Sequence, residues 1–224
     1  MVPKMPEQRQ SPPEFIVVEG PIGVGKTSLV RRLTETLGYA SLFECAEDNP
    51  FLARFYDDPL AAAFPAQLHF LFQRSRQLEQ LRQRDLFNSH LVADFMFAKD
   101  RLFAELNLQP EELALYDEVY ARLEMQAPRP DLILYLQAPV DELMQRVRRR
   151  NRTMENSLAP DYLARLSEAY ARYFYYYDAS PVLIVDTAEL NLVDSESDYQ
   201  ELLCAISRRF TGKSYFNPTP LAIN

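Results

Sequence analysis

Cysteine, histidine and glycine are scarce in this 224-residue chain, with two, two and five copies respectively. Cys45 and Cys204 are too few for a disulfide framework, so a reducing compartment is expected. His69 and His90 make no metal-ligand constellation. No apolar run is longer than a strand, which leaves no candidate for a membrane-spanning helix. Met1 to Glu14 is polar and proline-bearing without the apolar stretch of a signal peptide, and reads as a disordered leader. Positive charge is also in deficit, since 24 Lys and Arg stand against 32 Asp and Glu for a formal charge of −8. Affinity for nucleic acid is built from phosphates neutralised by Lys and Arg, so a polymer is not an expected partner and any nucleotide bound here is small. These features place the protein in the cytoplasm. At 47% hydrophobic and 25% charged residues, the length suits one domain with a full core.

The few glycines are concentrated. Three of the five lie within six residues, in Gly20-Pro21-Ile22-Gly23-Val24-Gly25-Lys26-Thr27, which fills every fixed position of the phosphate-binding pattern G-x-x-x-x-G-K-[ST]. A short apolar run, Phe15 to Val18, precedes the loop, and a helix-like stretch from Ser28 to Leu37 follows it. That context lets the free N–H groups of a helix N-terminus, including those at Val24 to Ser28, point at phosphate oxygens. Lys26 is then the residue that reaches the β and γ phosphates of ATP, and the Thr27 hydroxyl the one that holds Mg²⁺. A plain strand-to-helix turn needs one glycine and has no use for the Lys-Thr pair.

Further strand-like runs at Ser41 to Glu44, Leu91 to Ala93, Leu132 to Leu136 and Val182 to Val185 each lead into helical sequence. This alternation predicts an α/β fold with a five-stranded parallel sheet covered by helices on both faces. Helices are expected over Ala61 to Asp85, with Leu68, Leu71, Phe72, Leu78 and Leu81 as its stripe and Pro65 in its first turn, and over Glu111 to Met125, Asp161 to Ala179 and Ser197 to Phe210. The tail after Lys213 shows no periodicity.

Ligands of open parallel sheets collect at the C-terminal strand ends, which nominates Glu44 and Asp94 beside the loop. A carboxylate there can take a proton from a hydroxyl nucleophile or hold Mg²⁺ through water; it can also merely cap the next helix. Arg146, Arg148, Arg149, Arg150 and Arg152 crowd one helix end, enough guanidinium for a lid over ATP, although half of them are expected to be solvated cations favoured by the helix dipole. Gln67 and Arg74, seven residues apart, share a helix face, and a side-chain amide suits the edge of a base.

Taken together these residues resemble the deoxynucleoside kinases, over about Phe15 to Thr187. The resemblance is carried by the phosphate loop, Glu44 ahead of Asn-Pro-Phe-Leu, Tyr56 eleven residues before Gln67, Arg74, the Asp94-to-Asp100 segment, and Arg146-x-x-x-Arg150-Asn-Arg152-x-x-Glu155. It implies a P-loop kinase fold with an Arg-rich lid, a kinase domain over 15–212 between the leader and an irregular tail at 213–224, and transfer of the ATP γ-phosphoryl to the 5′-hydroxyl of a deoxynucleoside in nucleotide salvage. By the same resemblance Glu44 is the catalytic carboxylate and Gln67 reads the base. Tyr56 and Glu155 hold the 3′-hydroxyl, Arg74 and Asp100 lie near a cytosine or purine base, and Arg146, Arg150 and Arg152 belong to the lid. Lys26, Asp94, Arg150 and Arg152 complete the catalytic set, and the expected acceptors are deoxyadenosine, deoxyguanosine or deoxycytidine. A homodimer packed through helices is implied; the long apolar helices suit it, and equally a monomer core. One departure stands out, because the family usually follows the acid of strand three with Arg, whereas Asp94 is followed by Phe95 and Met96. Arg101 and Arg74 are the candidates to replace that guanidinium.

Two other readings compete. A thymidylate-kinase-like enzyme shares loop and lid but needs a cation beside the strand-three acid for its acceptor phosphate, where this chain has Phe95. A catalytically silent kinase-like subunit is free to lose Lys26, Thr27 and Glu44, and all three are present.

Overall fold

Among the described residues six short strands, all parallel to their neighbours, form one sheet, five of them at the apolar runs of the sequence. The computed structural model describes residues 12–83, 90–124, 128–208 and 211–216. In chain order the elements are β1 (Phe15–Glu19), α1 (Lys26–Leu37), β2 (Ala40–Leu42), α2 (Leu52–Asp57), α3 (Pro59–Gln83), β3 (Leu91–Ala93), α4 (Lys99–Asn107), α5 (Pro110–Glu124), β4 (Leu132–Gln137), α6 (Val140–Arg150), α7 (Pro160–Tyr176), β5 (Val182–Asp186), α8 (Glu196–Ile206) and β6 (Lys213–Phe216). The strand order is β2-β3-β1-β4-β5-β6. β1 leads through α1 towards β2 on one side, and its neighbour β4 leads through α6 and α7 to β5 on the other, so the chain parts above them and leaves a crevice at the strand ends.

Ile16 to Val18, Leu132 to Leu136 and Val182 to Val185 are buried almost throughout, as strands covered on both faces must be. α1, α6, α7 and α8 pack their apolar stripes on this layer. A second cluster, including Leu71, Leu78, Phe97, Tyr116 and Tyr120, is enclosed by α3, α4 and α5.

Several boundaries differ from the sequence expectation. The sheet has six strands and not five, because Lys213–Phe216, expected as irregular tail, pairs with β5 from Val182↔Lys213 to Val185↔Phe216. Lys-Ser-Tyr-Phe has no Val, Ile or Leu and only Phe216 is buried, which is the composition of an edge strand with little core to show. Residues 217–224 of the expected tail and 1–11 of the expected leader lie outside the described residues. α1 begins at Lys26 and not at Ser28, so the lysine is already on the helix. α3 begins at Pro59, which is its first-turn proline, with Asp58 accepting from the Ala61 N–H at 3.3 Å as a cap. Pro65 therefore sits inside the helix and leaves the Ala61 carbonyl without its helical donor. Of the predicted stripe on α3, Leu71 and Leu78 are buried while Phe72 is 45% exposed, and Asp85 and the Leu81 side chain lie outside the described residues. α7 stops at Tyr176, where Tyr177 turns extended, short of the expected Ala179. α5 and α8 start one residue early, and Met125 and Phe210, their expected ends, lie outside the described residues.

Candidate active site

The loop between β1 and α1 owes its shape to two glycines that no other residue replaces. Gly20 has φ +147° and a Cβ there would lie 2.4 Å from the Leu136 carbonyl oxygen; Gly23 has φ +86° and its Cβ would lie 2.7 Å from the Leu143 carbonyl oxygen. β4 and α6 thus press directly against the loop and fix its curve. Lys26 Nζ donates to the Gly20 carbonyl at 2.7 Å and the Pro21 carbonyl at 3.1 Å, folded back over its own loop.

A cleft of about 1100 Å³ opens from this loop along the C-terminal ends of β1, β2 and β3. Asp94, just past β3, ties two of its walls together. Its Oδ2 accepts from Thr27 Oγ1 at 2.7 Å and its Oδ1 from the Glu44 N–H at 2.6 Å. Burial raises the Asp94 carboxyl above the ordinary range, opposed by the Glu44 amide. Glu44 itself lies between cations, with Arg74 Nη2 donating to Oε1 and Lys99 Nζ at 3.4 Å from Oε2. Burial works to raise its pKa, but Arg74, Lys99 and Lys26 together outweigh that and hold it at about 2. Glu44 is therefore ionised at every ordinary pH.

Gln67 and Arg74 do share the face of α3 that looks into the cleft. Asp100 stands behind them, fully buried, with its carboxylate used up: Oδ1 accepts from Gln67 Nε2 and, at 2.8 Å, from the Tyr116 hydroxyl, and Oδ2 accepts from Arg74 Nη1. Gln67 Nε2 also donates to the Asp100 backbone carbonyl at 3.0 Å. With its amide nitrogen committed, Gln67 has its carbonyl oxygen left for a ligand. Arg74 uses two donors on carboxylates, and its buried Nε has no partner among the described residues.

Tyr56 of α2 and Glu155, in a 3₁₀ turn beyond α6, line the same cleft. Burial pushes the Tyr56 phenol well up, with Tyr162 and Glu155 adding to it, so its O–H remains a donor. Arg150 Nη2 donates to both Glu155 oxygens, at 2.6 Å to Oε2, and Arg152 lies 3.1 Å from Glu47 across the cleft mouth. Arg146 grips the segment after β5 through Thr187 Oγ1 at 2.9 Å and the Thr187 carbonyl at 2.7 Å, and touches the loop at the Val24 carbonyl at 3.4 Å. Of the five arginines, Arg146, Arg149, Arg150 and Arg152 line the cleft and Arg148 does not, while Arg148, Arg149 and Arg150 are exposed.

Phe95 is buried and packs beneath the Arg74 guanidinium at 5.8 Å. Arg101 is turned away to Asp117 and Glu105, so of the two candidates to replace the missing guanidinium it is Arg74 that reaches Glu44.

The sequence profile of the deoxynucleoside kinase family matches residues 16–211. The chain belongs to the deoxynucleoside kinase family. It is 34% identical over 193 residues to a deoxyguanosine kinase of Bacillus subtilis, covering 84% of this chain and 93% of that one. A deoxyadenosine kinase of Lactobacillus acidophilus is 30% identical over 210 residues, covering 88% and 96%. Among solved structures, the deoxyadenosine kinase of M. mycoides with dCMP and dCDP bound shares the fold at a TM-score of 0.75, with 24% identity over 86% of this chain and 98% of that one. The protein is thus an ATP-dependent phosphotransferase, as the sequence reading expected.

Three parts of this candidate site carry no signal that the sequence reading used. Lys99 carries a signal in hindsight, since a cation in the first turn of a helix opposes the macrodipole and has to be held by acids. Tyr116 looks like any core aromatic on α5, and only its bond to Asp100 sets it apart. The segment 187–194, which lines the cleft next to the loop, bears no motif; its anchor is Arg32 of α1, which donates to the carbonyls of Leu192 at 3.0 Å and Val193 at 2.8 Å.

The loop lysine carries a pH signature. Burial, with Lys99 beside it, lowers Lys26 from 10.5 to about 8, and phosphate oxygens favour its charged form and raise it again. At pH 7 the lysine is already protonated and ATP binding takes up no proton there; at pH 9 it is mostly neutral and binding takes one up. Calorimetry with metal-free ATP at pH 9, in two buffers of different ionisation enthalpy, is expected to show uptake approaching one proton and an affinity that weakens from pH 8 upward. Equal apparent enthalpies in the two buffers would contradict this.

Proposed function

We propose that the acceptor is a purine deoxynucleoside, deoxyguanosine ahead of deoxyadenosine, phosphorylated at its 5′-hydroxyl. The observation that carries this reading is the division of hydrogen-bonding groups at Gln67 and Arg74. The Gln67 carbonyl oxygen asks for an N–H on the base, and the spare Arg74 donors ask for acceptors. Guanine offers N7 and O6 as adjacent acceptors and an N–H beside them, whereas adenine offers N7 with its exocyclic amine. Thymine has no N7, and its methyl group would face the Arg74 guanidinium with nothing to fill. Relatives named deoxyguanosine kinase at 34% identity support the same order.

In this reading Lys26 and the lid arginines Arg150 and Arg152 neutralise the transferring phosphoryl group, while Arg146 keeps the loop and the segment after β5 in place. Glu44 orients the 5′-hydroxyl and takes its proton as the O–P bond forms. Tyr56 and Glu155 hold the 3′-hydroxyl, the phenol as donor and the carboxylate as acceptor. Asp100 orients Gln67 and Arg74 from behind. The Thr27 hydroxyl with Asp94 beside it is an all-oxygen donor set suited to Mg²⁺, and no cluster of three or more acidic, His or Cys ligands occurs among the described residues. Magnesium held there would supply charge neutralisation to the transferring phosphates.

Leu60 and Phe72 on α3 and Leu115 on α5 are large apolar side chains exposed at 77, 45 and 52%, which supports a homodimer through these helices, to be read by sedimentation. The free thiols of Cys45 and Cys204 support a cytoplasmic setting. The test of the acceptor is kcat/KM for the four deoxynucleosides. Deoxyguanosine is expected highest and thymidine at least about a hundredfold lower, because polar groups left unpaired by the wrong base are penalised heavily. Thymidine at or above the best purine would overturn the reading and would mean that Gln67 and Arg74 do not face the base.

A further inference from the structure

A buried ammonium stands at Glu44 that none of these roles uses. Lys99 opens α4 and is 2% exposed; its Nζ lies 3.4 Å from Glu44 Oε2 and 3.6 Å from Glu19 Oε1. Burying a lysine at the positive end of a helix costs it both hydration and dipole energy, so the flanking carboxylates are what keep it there. The two carboxylates are not equivalent. Glu19, wholly buried, already accepts from the Gly20 N–H at 3.2 Å, the Met96 N–H at 2.8 Å and the Tyr170 hydroxyl at 3.1 Å. Three donors satisfy it without Lys99. Glu44 is at the cleft wall, with Arg74 on Oε1 and, among the described residues, Lys99 alone on Oε2. Removing the ammonium would therefore leave Glu19 bonded and Glu44 held from one side only.

We propose that Lys99 is a positioning residue for phosphoryl transfer, its ammonium fixing Glu44 Oε2 so that the carboxylate is clamped between two cations and presents its remaining lone pairs to the acceptor hydroxyl. The inference rests on the reading of Glu44 as the group that meets the 5′-hydroxyl. Lys99 exchanges no proton in this role. It holds the acceptor of the proton still while the hydroxyl oxygen bonds to the γ phosphorus and ADP leaves with the electron pair of the broken P–O bond. Phe95 places no charge at the position next to the strand-end acid, and Arg101 is engaged elsewhere, so Arg74 and Lys99 share the task.

Lys99→Met, Glu44→Gln and the double variant, assayed in the full-length enzyme with ATP and deoxyguanosine, test it. Lys99→Met is expected to lower kcat about 10- to 100-fold with the nucleoside KM within about threefold, and Lys99→Arg to recover most of the loss. In the Glu44→Gln background the same change should cost less than about threefold, because a group that acts through Glu44 has nothing left to position. Wild-type kcat in Lys99→Met overturns the inference, and so do effects that multiply in the double variant, since these describe a role independent of Glu44. Glu44→Gln at wild-type rate removes the reading of Glu44 and the inference with it, whereas a crippled Glu44→Gln beside a fully active Lys99→Met removes the inference alone. If the Met variant does not fold, Lys99→Gln, which keeps a neutral donor between the two carboxylates, is expected to lose less kcat than Met would and to lose none of it beyond about threefold in the Glu44→Gln background, and effects that multiply there overturn the inference.

Discussion

Changing Lys26 to Ala is expected to leave a folded protein whose phosphoryl transfer is lower by about three orders of magnitude or more. The lysine is half-buried and its hydrogen bonds run to carbonyls of its own loop, Gly20 and Pro21, so it ties no second element to the fold. It contributes no side chain to either apolar cluster. In the proposed reaction its positive charge is spent on the β and γ oxygens, most of all as charge develops there in the transition state. Thermal unfolding should shift little while the transfer of label from ATP collapses. A variant that keeps more than about a tenth of the rate would mean that the loop does not hold ATP in the way its geometry implies.

Glu44→Gln is expected to remove most of kcat, about 10²- to 10⁴-fold, with little effect on nucleoside binding. The amide keeps the shape of the carboxylate but cannot take the proton of the 5′-hydroxyl, and it brings an N–H₂ up against either Arg74 or Lys99. A pKa of about 2 makes Glu44 a weak base, which suits a loose transition state where the nucleophile needs orientation more than early deprotonation. Asp94→Asn should cost less. Asp94 is bonded to Thr27 and to the Glu44 N–H, so its substitution disturbs the loop and the backbone of Glu44 without touching the nucleophile. The reverse order of effects, read from steady-state kinetics of the two variants, would make Asp94 the base.

How much of this was legible beforehand depends on the kind of signal each residue leaves. The P-loop is written locally, because glycines, Lys26 and Thr27 must sit at fixed spacing, and the strand and helix on either side are equally plain. β1, β4 and β5 show as Val, Ile and Leu runs because both faces are buried. β6 is an edge strand whose formation is decided by its neighbour β5, and nothing local distinguishes it from a tail. In the site, the residues that the resemblance marks as ligand-binding follow recognisable spacing, and Glu44, Tyr56, Gln67, Arg74, Arg150, Arg152 and Glu155 do converge on one cleft. The supporting layer does not follow spacing. Asp100, which the resemblance places near the base, is set behind Gln67 and Arg74 by the packing of α4 against α3, and Lys99 reaches Glu44 from an element far along the chain. The replacement of the family's usual arginine was likewise unreadable, since Arg74 and Arg101 are equal candidates until the structure turns one to Glu44 and the other to Asp117.

On the reading proposed above, this cleft phosphorylates the 5′-hydroxyl of a purine deoxynucleoside. The most direct measurement is to incubate the purified protein with γ-labelled ATP and either deoxyguanosine, its 5′-deoxy analogue or deoxyguanosine monophosphate, and to identify the labelled products. Labelled 5′-monophosphate is expected from deoxyguanosine in step with ADP, and no labelled product from the other two. Label appearing in a diphosphate made from the monophosphate, or no label reaching any deoxynucleoside, would contradict it.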